Sequence, residues 1–267
     1  MYVPPSPSMS TSPGSLEGKY EVIAKIREGG MGAIYKARHR LLNELRVIKV
    51  MRPEVAQSAD QRKRFLREAQ TAPRLRHSNI VAFYDFFVDE EDTAYMVMEY
   101  IDGINLRDMI RGFGAFPISL AIDLSRQCLS AFEYLHKRGI VHRDVSPDNI
   151  MMTRDDDGTL HAKLIDLGIA KIAQAKEELT AADEFIGKLR YSSPEQLTKS
   201  ASSAQIDGRS DLFSLGIVLY EILTGVCPYG GESLHEIIGN RLEQPPLSFE
   251  VSDPKKRLPQ ALKKAVL

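Results

Sequence analysis

Apolar positions recur along this chain with two spacings, and the change from one to the other divides it. Alternating runs come first. Val22 to Ile26 and Ala33 to Ala37 read as strands, and a third run carries Val47, Ile48 and Lys49. Gly29, Gly30 and Gly32 lie between the first two runs, where glycine lets the backbone turn tightly. A helical stretch follows. Ser58 and Gln61 form a capping-box pattern, and Phe65, Glu68, Ala72 and Leu75 share one face. Pro73 ends this helix, because an interior proline costs about 3 kcal/mol. Met96 to Ile101 is an apolar strand that runs into Asp102 and Gly103. Beyond it the spacing predicts helices near 119–138 and 211–224, with a hairpin near 150–165 turned at Asp157-Gly158. Leu258 to Leu267 has helical spacing and stops mid-pattern, which reads as a chain cut short of further helices.

The 267 residues are 43% hydrophobic and 27% charged, the balance of a globular chain. This length fits one large domain or two lobes. A net charge of -1 provides no field for nucleic acid or an anionic membrane. Cys128 and Cys227 have no metal-binding or redox spacing and read as free thiols of a reducing compartment. No apolar run reaches the roughly 18 residues of a membrane span. The N-terminus lacks the basic start and apolar core of a signal peptide. Residues 1–15, rich in Pro and Ser, bury too little surface to order themselves.

The chemistry is concentrated in His142-Arg143-Asp144-Val145-Ser146-Pro147-Asp148-Asn149 and, further on, Asp166-Leu167-Gly168. Asp144 supplies a carboxylate to receive a proton. Asn149 and Asp166 follow at spacings that let an amide and a second carboxylate hold metal ions. Phosphoryl transfer asks for this set, because its catalysis is mostly positioning plus charge stabilisation. The His-Arg-Asp tripeptide alone would turn up by chance. Its weight comes from the ordered series around it: the Ile26–Tyr35 glycine turn, Lys49, Glu68, Met98-Glu99-Tyr100, Ser193-Pro194-Glu195 and Asp211 to Gly216.

In this order the motifs resemble the eukaryotic-like serine/threonine protein kinases, of the Gly-Gly-Met-Gly type common in bacteria, over about residues 18–267. The resemblance implies an α+β, two-lobe fold after a disordered tail at 1–17. A small antiparallel β lobe with one helix would span 18–99, and a hinge and mainly helical lobe 100–267. It implies ATP as phosphoryl donor, with Mg²⁺ or alternatively Mn²⁺, and Ser/Thr hydroxyls of proteins as acceptors. Asp144 would be the base. Lys49 would contact the α- and β-phosphates and pair with Glu68. Asn149 and Asp166 would hold the metal. Gly29, Gly30 and Gly32 would cradle the phosphates. Ile26, Ile34, Val47, Met98, Met151 and Ile165 would enclose adenine, and Glu99 and Ile101 would bond it through their backbone. The carboxylate of Asp211 would cap the catalytic-loop backbone.

Four positions depart from the family pattern. Arg27 stands where its first glycine would be, and Leu167 replaces a phenylalanine. Ser146 stands where a lysine contacts the γ-phosphate, while Lys188 follows Gly187 where a threonine is usual. The cation therefore reads as moved from one loop to the other, with Ser146 taking the hydroxyl role. Arg143 marks kinases whose activation segment is ordered by an anion. Thr180 is the expected phosphosite, and Glu184 an acidic stand-in for phosphate. Expected partners are protein substrates, with no nucleic acid and no membrane segment in this chain. A homodimer through the small lobe is compatible with the resemblance. The expected location is cytoplasmic, or the cytoplasmic side of a longer membrane-anchored protein. The competing reading is a nucleotide-binding pseudokinase or scaffold.

Overall fold

The computed structural model describes residues 16, 18–29, 32–51, 75–89, 93–167, 187, 189–197, 206–231 and 233–266. They fall in two compact units, Met1–Val55 with Tyr84–Tyr100, and Ala56–Phe83 with Ile101–Leu267.

The first unit is built on a five-stranded sheet: β1 (Tyr20–Gly29), β2 (Gly32–His39), β3 (Glu44–Met51), β4 (Phe83–Val88) and β5 (Ala94–Glu99), in the order β1-β2-β3-β5-β4. The first three strands follow the alternating runs of the sequence. Alternation divides β3 between two faces. Ile48 joins Tyr20, Ala37, Tyr95 and Val97 in a buried cluster, while Val47 and Lys49 point to the other side. β5 stops at Glu99, short of the expected Ile101. The next strand, β6 (Gly103–Asn105), pairs with a different sheet, so Ile101 falls between the two.

In the second unit β6 joins β7 (Ile150–Arg154) and β8 (Leu160–Leu164) in a three-stranded sheet. The β7–β8 hairpin turns where the sequence predicts, with Gly158 at φ 85. Four helices matter for the site: α1 (Leu106–Phe113), α2 (Ile118–His136), the one-turn α3 (Pro194–Leu197) and α4 (Gly208–Thr224). α2 and α4 pack together. Leu124, Cys128, Phe132 and Leu135 from α2 are buried with Leu215, Val218 and Ile222 from α4. At about 25 cal/mol per Å² of apolar surface, this burial stabilises the unit. Burial pushes the Cys128 thiol up to about 12, so it is an inert core group.

α4 begins one turn before the expected Asp211. Its N-cap is Asp207, whose side chain accepts from the Arg209 N–H, which leaves the Asp211 carboxylate for other work. α5 (Leu234–Glu243) and α6 (Phe249–Ser252) follow. The periodic C-terminal stretch forms α7 (Gln260–Val266). Asp253 anchors it by accepting from the backbone of Arg257 and Leu258, both at 3.0 Å, and from Lys263 Nζ at 3.1 Å. The predicted helix carrying Glu68 lies outside the described residues.

Candidate active site

The catalytic loop runs from the end of α2 to a 3-10 turn at Pro147–Asn149. One buried carboxylate sets its shape. Asp211, wholly inaccessible, accepts the backbone N–H groups of His142 and Arg143, each at 2.8 Å. His136 Nε2 lies 2.7 Å from the same carboxylate. Arg143 sits at φ 62, a left-handed conformation that side chains other than glycine avoid. The bonds from Asp211, and one from Gln196 Nε2 to the Arg143 carbonyl at 2.9 Å, hold it there. The capping role expected of Asp211 is therefore present, and His136 is an addition that the sequence did not announce.

Asp144 follows, mostly buried, its N–H donating to His142 Nδ1 at 3.3 Å. Its carbonyl accepts Asn149 Nδ2 at 2.7 Å, which turns the amide oxygen of Asn149 away from that carbonyl. Asn149 in turn accepts the N–H of Ile165 on its carbonyl at 3.0 Å. That bond ties the loop to the start of the Asp166 turn. Met151 on β7 and Ile165 just after β8 are half-buried at the open end of this hairpin. Leu167 is buried, as a leucine in place of phenylalanine can be. Ser146 is 1% exposed, and its Oγ has no hydrogen-bond partner among the described residues.

In the first unit, strand register aligns two rows on one face. Ile34, Lys49 and Met96 are successive cross-strand partners, as are Lys36, Val47 and Met98. Four of the expected nucleotide-site residues therefore share that face: Ile34, Val47, Lys49 and Met98. Ile26 differs. It is the extra residue of an irregularity between Lys25 and Arg27, is 54% exposed, and leaves Arg27 as the partner of Ile34. Gly32 adopts φ 145, and a Cβ there would stand 1.9 Å from the Val50 carbonyl oxygen. Sheet packing alone therefore demands glycine at this position. Gly29 is its partner at the end of β1–β2. Glu99 ends β5, opposite Arg46.

The protein kinase domain family matches residues 20–265. The chain belongs to that family. Among its relatives are a probable serine/threonine-protein kinase of Clostridium perfringens and the serine/threonine-protein kinase PknB of Mycobacterium leprae. The first is 39% identical over 218 residues, covering 82% of this chain and 30% of the relative. The second is 38% identical over 242 residues, covering 89% of this chain and 37% of the relative. The chain thus spans about a third of the length of these curated relatives. A crystal structure of Rad53 in complex with AMP-PNP superposes with a TM-score of 0.71 at 27% identity, covering 93% of this chain and 59% of that one. The fold is the two-lobe kinase fold, an antiparallel β lobe and a helical lobe. Domains of this family transfer phosphoryl groups from ATP to proteins with the help of a divalent metal.

Several expected residues of the kinase domain lie outside the described ones: Gly30, Glu68, Thr180, Glu184 and Lys188. What the sequence missed is a cluster beside the catalytic loop. Arg107 of α1 reaches Glu221 of α4 at 2.8 Å and Asp148 of the loop at 3.3 Å, and also donates to the Tyr191 hydroxyl. Tyr191 in turn donates to Glu221 at 2.5 Å. Burial disfavours the Arg107 charge, but Tyr191, Glu221 and Asp148 outweigh it and hold the guanidinium above its ordinary value. Glu195 of Ser193-Pro194-Glu195 accepts the Ser210 hydroxyl, an anchor provided by α4 itself. Burial opposes its charge, yet the Ser210 bond and bonds from its own backbone and Ser193 keep its carboxyl below the usual range. Among the described residues, no helix is long and apolar enough to cross a membrane.

Proposed function

We propose that residues 18–267 form a working serine/threonine kinase domain, with the small lobe over 18–99. Asp144 accepts the proton of the substrate hydroxyl. The observation that carries this reading is the bond from Asn149 Nδ2 to the Asp144 carbonyl. It fixes the base and a metal-facing amide oxygen relative to each other, and geometry of that kind is most of what phosphoryl transfer requires. The donor set fits a hard cation. Asn149 offers an amide oxygen and Asp166 a carboxylate, and Mg²⁺ takes a few such oxygens together with substrate phosphates. Mg²⁺ is therefore proposed ahead of Mn²⁺. When bound, the ion neutralises charge on the phosphates. Lys49 contacts the α- and β-phosphates and pairs with Glu68. The glycines at 29, 30 and 32 cradle the phosphates. Ile26, Ile34, Val47, Met98, Met151 and Ile165 enclose adenine, while Glu99 and Ile101 bond it.

Lys188 supplies the cation that Ser146 lacks. Support comes from the Ser146 hydroxyl, a buried polar atom two residues from Asp144 without a partner among the described residues, since such atoms normally have one. Arg143 receives an anion from the activation segment, with Thr180 as phosphosite and Glu184 as partial mimic. The relatives' names favour an enzyme over the pseudokinase or scaffold. We also propose a cytoplasmic setting, in keeping with the free thiols of Cys128 and Cys227. Homodimerisation through the small lobe is proposed on resemblance alone.

The test is phosphate transfer from labelled ATP, with Mg²⁺ or Mn²⁺, to a generic basic protein. Asp144→Asn should lower the rate by about 10³-fold, within the range for removing a general base, while the variant still binds ATP. Lys188→Ala should lower kcat, and a normal kcat would remove the exchanged-lysine assignment. Thr180 found unmodified by mass spectrometry of active protein would remove the phosphosite. An inactive but folded wild-type chain would return the pseudokinase reading.

A further inference from the structure

We infer that Arg107 is a positioning residue for the polypeptide acceptor, acting through Tyr191 and Asp148, and that it has no part in holding the nucleotide. This rests on the proposed kinase reading and adds a device to the same site.

Four elements meet at one guanidinium. Arg107 belongs to the first turn of α1, Asp148 to the catalytic loop, Tyr191 to the segment leading into Ser193-Pro194-Glu195, and Glu221 to the buried face of α4. Glu221 is the fixed point, since it is buried in a helix whose core face is packed. Its two oxygens are divided: Oε1 accepts from Arg107 at 2.8 Å and Oε2 from the Tyr191 hydroxyl at 2.5 Å. Arg107 spans the gap with Nη1 on Glu221 and both Nε and Nη2 on one oxygen of Asp148, each at 3.3 Å. It also stacks 5.2 Å from the centre of the Tyr191 ring. A planar guanidinium can make these bonds at once, while an ammonium is a single compact charge.

The geometry separates the two substrates. Asp148 sits directly before Asn149, and Tyr191 three residues before Pro194. The cluster therefore fixes residues 189–193 against the catalytic loop. A second tie lies beside it, from Ser193 to Gln196 and on from Gln196 to the Arg143 carbonyl. A protein substrate must present its hydroxyl to Asp144 next to this segment. Of the proposed nucleotide and metal ligands, Lys49 is on β3 and Asp166 follows β8, while Asn149 shares the turn of Asp148 but has its own tie to the Asp144 carbonyl. Loosening residues 189–191 would thus disturb the polypeptide and spare ATP. Asp148 retains a half-exposed side chain, so its bond with Arg107 also fixes the direction of a charge beside the acceptor.

The experiment measures two acceptors with one enzyme: a protein substrate, and water through slow ATP hydrolysis. Arg107→Met, similar in length and without charge, should raise KM for the protein by about tenfold or more and lower the ratio of protein phosphorylation to hydrolysis as far. The KM for ATP should stay within about twofold in both assays. Tyr191→Phe keeps the ring and loses the hydroxyl, and should produce a smaller shift in the same direction. Arg107→Lys should remain nearer to Met than to wild type. Nucleotide-induced thermal shifts report whether each variant is folded. Parallel loss of both acceptors in folded Arg107→Met would make the cluster merely structural and overturn the assignment. So would an unchanged KM for protein. If Arg107→Met does not fold, Tyr191→Phe decides alone, on the same ratio. A wild-type chain inactive toward every acceptor would instead strike at the kinase reading.

Discussion

In the catalytic loop, position comes from specific hydrogen bonds: distant Asp211 accepts from His142 and Arg143, and Asn149 donates to the Asp144 carbonyl. On the sheet face that carries Lys49, position comes from strand register, and the neighbours are apolar side chains. The loop has an unfavourable backbone at Arg143 and needs a particular carboxylate to keep it. The sheet face needs mainly alternation, with exceptions at Gly32 and at the Ile26 irregularity. Chemistry that depends on the direction of a lone pair thus rests on specific bonds, while a surface that encloses an aromatic ring can be built from size and hydrophobicity. The two regions should therefore answer mutation differently.

The largest effect should come from Asp211→Asn. The amide keeps the shape but offers one acceptor oxygen where three donors now meet a charge. We expect a loss of about 3 kcal/mol, the scale for breaking a buried charged hydrogen-bond network, with kcat falling alongside. Denaturant midpoints and kcat, measured together, check this. A stable variant of normal activity would mean that the loop holds its own shape. Gly32→Ala comes next and probes the first exception. The added methyl meets a carbonyl oxygen of the neighbouring strand, so we expect about 2 kcal/mol of destabilisation and weaker ATP binding. A neutral result would show that the β2–β3 edge yields. Val47→Ala should be mildest, at about 1 kcal/mol or less, with KM for ATP rising by under about tenfold and kcat nearly constant. If Val47→Ala instead abolished turnover, the contrast between the regions would fail.

Local signals made much of this molecule legible in advance. The strand runs, the Asp157-Gly158 hairpin, the catalytic loop and the apolar helix after it are written within short windows, where period and turn chemistry act. The site residues Ile34, Val47, Lys49 and Met98 share a face because alternation and register carry them there. The missed features depend on distance. His136 and Asp211 are 75 residues apart, and Arg107 and Glu221 are 114 apart, so no local pattern links them. The irregularity at Ile26 is a mismatch between two strands, which neither strand reveals alone. One miss was readable: Asn105 with Asp108 is a reciprocal helix cap, and it starts the helix that carries Arg107. Gly32 teaches a different lesson. Its glycine was explained by phosphate, and the neighbouring strand gives a sufficient reason of its own.

The bond from Asp211 to the loop also has a direction in time. The two backbone donors lie 69 and 68 residues upstream of their acceptor. At about 5–20 residues per second, a ribosome releases them roughly 3–14 s before Asp211 is made. Through that interval the left-handed turn at Arg143 lacks the Asp211 carboxylate. A nascent chain therefore carries His142 and Arg143 before the carboxylate that orders their backbone exists.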